Sequence, residues 1–230
     1  MKKMASDDIQ RMVKKYTWTS GTVYEMYKHS YTRENQSPKT SSTNLYDAQY
    51  YVVNSDLKVY ICINNGQTPD NPQGRQSLDE PDFVDLEPRA AGTSGDGYIW
   101  KYLYTIKPGD ITKFDSTNFM PVPKDWETNS VDAPVRDNAA TSGQLKIVTI
   151  TNRGAGLGTA NQSYTRVPIK GDGTGAEATV VINSASKVES VTVSKGGAGY
   201  SFGTLDIEAG GVPAGSIYPA FKVIIHHEVG

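Results

Sequence analysis

Gly95-Asp96-Gly97-Tyr98-Ile99-Trp100-Lys101-Tyr102-Leu103-Tyr104-Thr105-Ile106 is the stretch on which the fold turns. Gly-Asp-Gly is a turn signal. The residues after it alternate, and in a strand side chains at i and i+2 share a face. Alternation puts Tyr98, Trp100, Tyr102, Tyr104 and Ile106 on one side, and Ile99, Lys101, Leu103 and Thr105 on the other. Three of the fourteen tyrosines and one of the three tryptophans thus share one face. Such a face needs a large cover, or it is itself a binding surface.

Just upstream, Tyr50-Tyr51-Val52-Val53 and Lys58-Val59-Tyr60-Ile61-Cys62-Ile63 flank Asn54-Ser55-Asp56-Leu57, which predicts a hairpin with a short polar turn. Residues 64–94 come next, with Pro69, Pro72, Pro81 and Pro88. A structureless stretch of that length inside a domain is uncommon and usually functional. The opening strand most simply pairs with the hairpin. Further upstream, Ser6 is an N-cap residue followed by Asp7 and Asp8, and Ile9, Met12, Val13 and Tyr16 form one apolar stripe. That spacing predicts a helix over residues 6–16 that must dock elsewhere. Residues 17–27 read as extended with a break at Gly21, and 29–43 as a polar loop. Downstream, Lys107-Pro108-Gly109-Asp110 reads as a turn, 111–119 as a short helix or irregular, 120–123 as extended, and 126–141 as a polar connection.

From Gly143 the character changes and a repeat emerges. Thr149-Ile150-Thr151-Asn152-Arg153-Gly154-Ala155-Gly156 matches Thr192-Val193-Ser194-Lys195-Gly196-Gly197-Ala198-Gly199 at an offset of 43 residues (149 to 192). Each copy runs on to a tyrosine, Tyr164 or Tyr200, then to a short strand and an alternating strand after a Gly-rich turn. Two such copies make a compact all-β unit.

Composition narrows the function classes. The 230 residues are 37% hydrophobic and 21% charged, with Gly 22 and Pro 12, which suits many turns and short strands. A net charge of −2 argues against phosphate neutralisation on nucleic acid and against anionic membranes. No run of about eighteen apolar residues is present to make a transmembrane helix, and residues 1–13 lack a signal-peptide core. The single cysteine, Cys62, excludes an intrachain disulfide and reads as a small buried hydrophobe. This composition suits synthesis in a reducing cytosol.

Motifs for chemistry are weak. Gly154-Ala155-Gly156-Leu157-Gly158 and Gly171-Asp172-Gly173-Thr174-Gly175 lack the helix and the Gly-Lys-Ser/Thr of a phosphate loop. The acidic run Asp79, Glu80, Asp82, Asp85, Glu87 lacks calcium-loop spacing and reads as solvated charge; Asp172 reads as an Asx turn. His226 and His227 are adjacent and point apart in a strand, and His29 is far away. No nucleophile elbow exists. Paired carboxylates for glycoside chemistry stay open, because they need only meet in space. No cofactor is expected.

Three ordered motifs carry a resemblance across residues 1–125. They are Trp18-Thr19-Ser20-Gly21-Thr22-Val23-Tyr24, then Tyr51-Val52-Val53 with Val59-Tyr60-Ile61-Cys62-Ile63-Asn64-Asn65, then residues 96–106. In these the chain resembles the baseplate wedge proteins encoded by gene eight of T-even-type contractile-tailed phages and their cyanophage relatives. The resemblance implies a non-enzymatic, β-rich, dimeric subunit of the virion tail baseplate, assembled in the host cytoplasm among other wedge proteins. Family members carry more residues ahead of the first motif, so this chain is expected to be a shortened version or a piece.

The expected fold is mainly β (β-rich α+β) in two units, 1–140 and 141–230. The expected role is structural. Trp18, Tyr24, Tyr98, Trp100, Tyr102 and Tyr104 are expected in the core or at a partner interface, with no nucleic-acid or membrane partner. The alternative is a glycan-binding or glycan-degrading tail module that stacks sugars on the Tyr98 face.

Overall fold

The computed structural model describes residues 5, 8–36, 42–68 and 71–225. The protein is mainly β, with several antiparallel sheets and, among the described residues, two short helices. It divides into two compact units. One draws on Met1–Tyr27, Gln36–Gly66 and Gln73–Asn138, the other on Lys28–Asn35, Gln67–Pro72 and Ala139–Gly230.

The first unit is built on a three-stranded antiparallel sheet in the order β2 (Tyr51–Val53), β3 (Lys58–Asn65), β4 (Tyr98–Thr105). The β2–β3 hairpin forms as its sequence predicts. Asn54 makes the turn: its Oδ1 accepts from the N–H groups of Asp56 (3.0 Å) and Lys58 (2.9 Å). These bonds hold Leu57 in the left-handed region, at φ 62. β4 pairs with β3, as expected from its place after the hairpin.

Strict alternation along β4 fails at one point. Tyr102 pairs with Tyr60 and Tyr104 with Val59, leaving Leu103 as an extra residue. This bulge shifts the strand by one and turns the residues beyond it to the other side of the sheet. Tyr98 and Trp100, joined by Tyr102, pack with Val52, Tyr60 and Cys62. Tyr104 and Ile106, joined by Leu103, pack instead with Val53, Val59 and Met120. The five residues expected on one face therefore serve two cores.

The expected helix over 6–16 is absent from the described residues of that stretch; Ser6 and Asp7, its cap, lie outside them. Met12–Lys14 forms a strand, β1, antiparallel to β5 (Phe119–Pro121). Tyr16 and Trp18 continue as an edge on β2: Val53 donates to Tyr16 O (2.8 Å) and Trp18 donates to Val53 O (2.9 Å). A helix of about three turns is marginal by itself, and strand pairing with distant partners overrides its local pattern. Of the expected stripe, Val13 packs on the second core, whereas Ile9 is 60% exposed. Among the described residues two short helices form, the first over part of the expected turn and the start of the stretch expected as a short helix or irregular, the second in the expected polar connection. α1 (Pro108–Phe114) starts on Pro108, whose fixed φ suits a first helical position. α2 (Ala133–Asn138) buries Val135.

The second unit contains β6 (Leu145–Asn152), β7 (Ser163–Gly171), β8 (Thr174–Ile182), β9 (Val188–Ala198), β10 (Gly203–Leu205) and β11 (Ala220–Ile225). One sheet has the order β10-β7-β8-β9, and β11-β6 forms a second. The repeat governs the pairing. The third strand of each copy joins the first strand of the other: β8 with β9, and β11 with β6. Ala178↔Val193, Thr179↔Thr192 and Val180↔Val191 in one ladder match Phe221↔Ile150, Lys222↔Thr149 and Val223↔Val148 in the other, each at the 43-residue offset. Both register breaks match too: Glu177/Ala178 with Ala220/Phe221, and Val181/Ile182 with Ile224/Ile225. The unit is a pseudo-twofold pair of copies around one core that includes Leu145, Leu157, Val180, Tyr200 and Val223.

Candidate functional site

The aromatic face of β4 was the leading candidate surface, and its cover is part of this chain. Tyr98 and Trp100 are each 0% exposed. Their rings stack at 5.3 Å with 17° between planes. Tyr24 meets both edge-on, at 6.3 Å from Tyr98 and 5.6 Å from Trp100. Edge-to-face and offset contacts are the arrangements that ring quadrupoles favour. The Tyr98 hydroxyl accepts from Tyr24 N (2.8 Å) and donates to Arg75 O (2.8 Å). The Tyr24 hydroxyl accepts from Thr19 N (2.7 Å). Trp18, half-buried against the same core, donates from Nε1 to Ser77 Oγ (3.0 Å). The buried Nε1 of Trp100 has no acceptor among the described residues.

The long stretch after β3 supplies much of the cover, and polar side chains hold it in place. Asp96 Oδ2 accepts from Leu78 N (2.8 Å) and Oδ1 from Tyr98 N (2.9 Å). The Asn54 amide donates to Pro81 O (2.8 Å), and the Tyr60 hydroxyl donates to Phe83 O (2.6 Å). Ser77 and residues 21–22 exchange two backbone bonds, Gly21 N to Ser77 O (2.7 Å) and Ser77 N to Thr22 O (2.9 Å). Arg89 and Trp100 do the same at 3.0 and 2.9 Å. A segment whose length alone suggested a functional loop is thus bonded down at many points, and Tyr98 and Trp100 offer no ring face to a sugar.

The other expected residues divide. Tyr102 is half-buried, 5.9 Å from Tyr60, with its hydroxyl 2.9 Å from Thr105 Oγ1. Tyr104 belongs to the second core and donates to Pro121 O (3.2 Å). Burial pushes the phenols of Tyr60, Tyr98 and Tyr104 well above their ordinary range, so each stays a neutral hydrogen-bonding group. Burial likewise pushes the Cys62 thiol far up, which keeps it inert as thiolate chemistry requires ionisation.

The acidic run is spread over separate tasks. Asp79 Oδ2 accepts from Ser94 N (2.7 Å), and this bonding with Ser94 lowers its pKa. Glu80 accepts from Ser55 N (2.7 Å), Asp85 pairs with Arg89 (2.9 Å), and Glu87 accepts from the Asn138 amide (2.8 Å). No group of three His, Cys, Asp or Glu positioned to hold a metal occurs among the described residues. Asp172 was expected to close a local turn. It instead reaches across the second unit, accepting from Ser201 N (2.9 Å), Phe202 N (3.2 Å) and the Ser201 hydroxyl. The Ser201 hydroxyl leads in holding the Asp172 carboxyl down at about 2. His226 and His227 lie outside the described residues. Leu157, rather than Tyr164, is the structural counterpart of Tyr200, as their shared offset and backbone bonds require.

One cleft escaped the sequence reading. Within the first unit, Ile9, Gln10, Lys107, Lys113, Phe114 and Lys124 line a space of about 570 Å³. Asp110 and Asp125 complete it, and Lys107 pairs with Asp125 at 3.4 Å. No local signal announces it, because three separate segments build it. Its mixed charge and two apolar side chains suit a protein surface better than a single small anion. The described residues include no helix long and apolar enough to cross a membrane. No protein family, curated protein or solved structure matches the chain.

Proposed function

We propose that this protein is a structural subunit of a contractile phage tail baseplate, joining neighbouring wedge proteins through protein–protein contacts, with a second copy among them. The observation that carries this reading is the coincidence of the family-like motifs with the first core. Trp18 and Tyr24, Val52 and Val53, and Tyr98 and Trp100 come from the three motifs, and all pack on the two faces of one sheet. The residues that carry the resemblance are therefore those that build the scaffold. Their rings are spent on packing, so contacts with neighbours fall to surfaces such as the Lys107–Lys113–Lys124 cleft.

Cryo-electron microscopy of virions tests the assignment. Density for this fold in the tail baseplate is the expected result; its presence in the capsid, or absence from particles, overturns it. Light scattering of the purified protein is expected to report a dimer, and a monomer at high concentration contradicts that part.

A further inference from the structure

Lys101 is a lysine in the middle of an apolar strand, and it is 1% exposed. Its Nζ lies 3.0 Å from Oδ1 of Asn138, the last residue of α2. On its other side, the Asn138 carboxamide donates from Nδ2 to Glu87 Oε1 at 2.8 Å. An amine, a carboxamide and a carboxylate thus stand in line, drawn from β4, α2 and the covering segment, all within the first unit.

We propose that Lys101 and Asn138 form an intramolecular isopeptide bond, with Glu87 as the proton relay. Nζ attacks as the uncharged amine, the form in which a lysine acts as a nucleophile. Nζ adds to Cγ of Asn138, one bond beyond the oxygen it already touches. The fold holds the two groups together, which removes the entropic barrier that makes amide exchange slow in solution. Once Nζ is bonded to Cγ it stands beside Nδ2 on the same carbon, so Glu87, already hydrogen-bonded to Nδ2, takes the proton from Nζ there and delivers it to Nδ2. The Nζ–Cγ bond forms, the Cγ–Nδ2 bond breaks, and one ammonia leaves. No oxidant, metal or cofactor enters the balance. The product ties the central strand of the sheet to the end of α2 by a covalent brace. The proposal does not depend on the assembly role above.

Intact-mass spectrometry of the folded full-length protein tests it. The expected mass is one ammonia below that of the sequence, and digestion is expected to yield a branched peptide joining Lys101 to Asn138. Lys101→Arg and Asn138→Ala are expected to show the full, unlinked mass. Glu87→Gln sits on the exposed side of the trio and should keep cooperative unfolding while losing the link. Wild-type protein that unfolds cooperatively yet carries its full sequence mass after prolonged incubation overturns the proposal. Linkage of Glu87→Gln to the wild-type extent overturns the relay.

Discussion

Leu157 and Tyr200 hold the same place in the two copies of the duplicated unit. Leu157 donates its backbone N–H to Ser186 O at 2.9 Å, and Tyr200 donates to Gly143 O at 3.1 Å. Both acceptors have left-handed backbones, with φ 53 at Ser186 and 64 at Gly143. The geometry is shared, although the residue types differ at both positions.

Substitution should expose that difference. A Cβ at Gly143 would meet the backbone N of Tyr200 at 2.3 Å, in a conformation that L-residues avoid. Gly143→Ala is expected to destabilise by at least about 2 kcal/mol. Ser186→Gly relaxes the same backbone strain and frees the unfolded chain, effects that oppose each other to within about 1 kcal/mol. Urea unfolding of both variants checks the contrast; equal losses would contradict the assigned equivalence.

At Trp100, truncation and conservative replacement should separate. Trp100→Ala removes the ring stacked on Tyr98 and is expected to cost about 3–5 kcal/mol. Trp100→Phe keeps a ring and deletes an N–H that has no acceptor among the described residues. Relief of an unsatisfied buried donor, about 1–3 kcal/mol, offsets part of the lost area. The Phe variant should retain most of the stability in the same urea assay.

Two tyrosines on one side of β4 should behave differently. Tyr98→Phe strands the buried N–H of Tyr24 and takes the partner from the part-buried carbonyl of Arg75. The expected loss is about 1–3 kcal/mol. The Tyr102 hydroxyl has Thr105 Oγ1 as its partner at an exposed position, so Tyr102→Phe should stay within about 0.5 kcal/mol. Thermal unfolding of the pair is the check.

Stability should fall at alkaline pH, with a defined sign. Burial raises the folded pKa of Tyr60, Tyr98 and Tyr104 above the unfolded value of about 10. Their contribution is complete below about pH 10 and is lost as pH rises through the folded values. Asp172 has the opposite sign. Its folded pKa is held at about 2, below the ordinary value, so its contribution is present above about pH 4 and is lost as pH falls to about 2. Denaturation midpoints against pH should drop at both ends, and Asp172→Asn should flatten the acidic limb alone.

Local chemistry made much of the fold legible. Asn54 closes the hairpin through its own side chain, and the glycines and alternation of residues 149–225 repeat at 43 residues wherever the two ladders do. Those features depend on neighbours within a few positions, which a sequence displays directly. The bulge at Leu103 was hidden because an added residue leaves alternation intact in the sequence and appears only against β3. The strand at Met12–Lys14 was hidden because its partner, Phe119–Pro121, lies more than a hundred residues away.

The sequence by itself determined the strands of the central sheet, the duplication and the family-like motifs, because period and turn chemistry are local. Only the tertiary structure decided which side of β4 each aromatic serves, that residues 73–94 cover them, and that Lys101 meets Asn138, which in turn meets Glu87. Those outcomes depend on contacts between segments far apart in the chain, where many pairings satisfy the local pattern and packing selects among them.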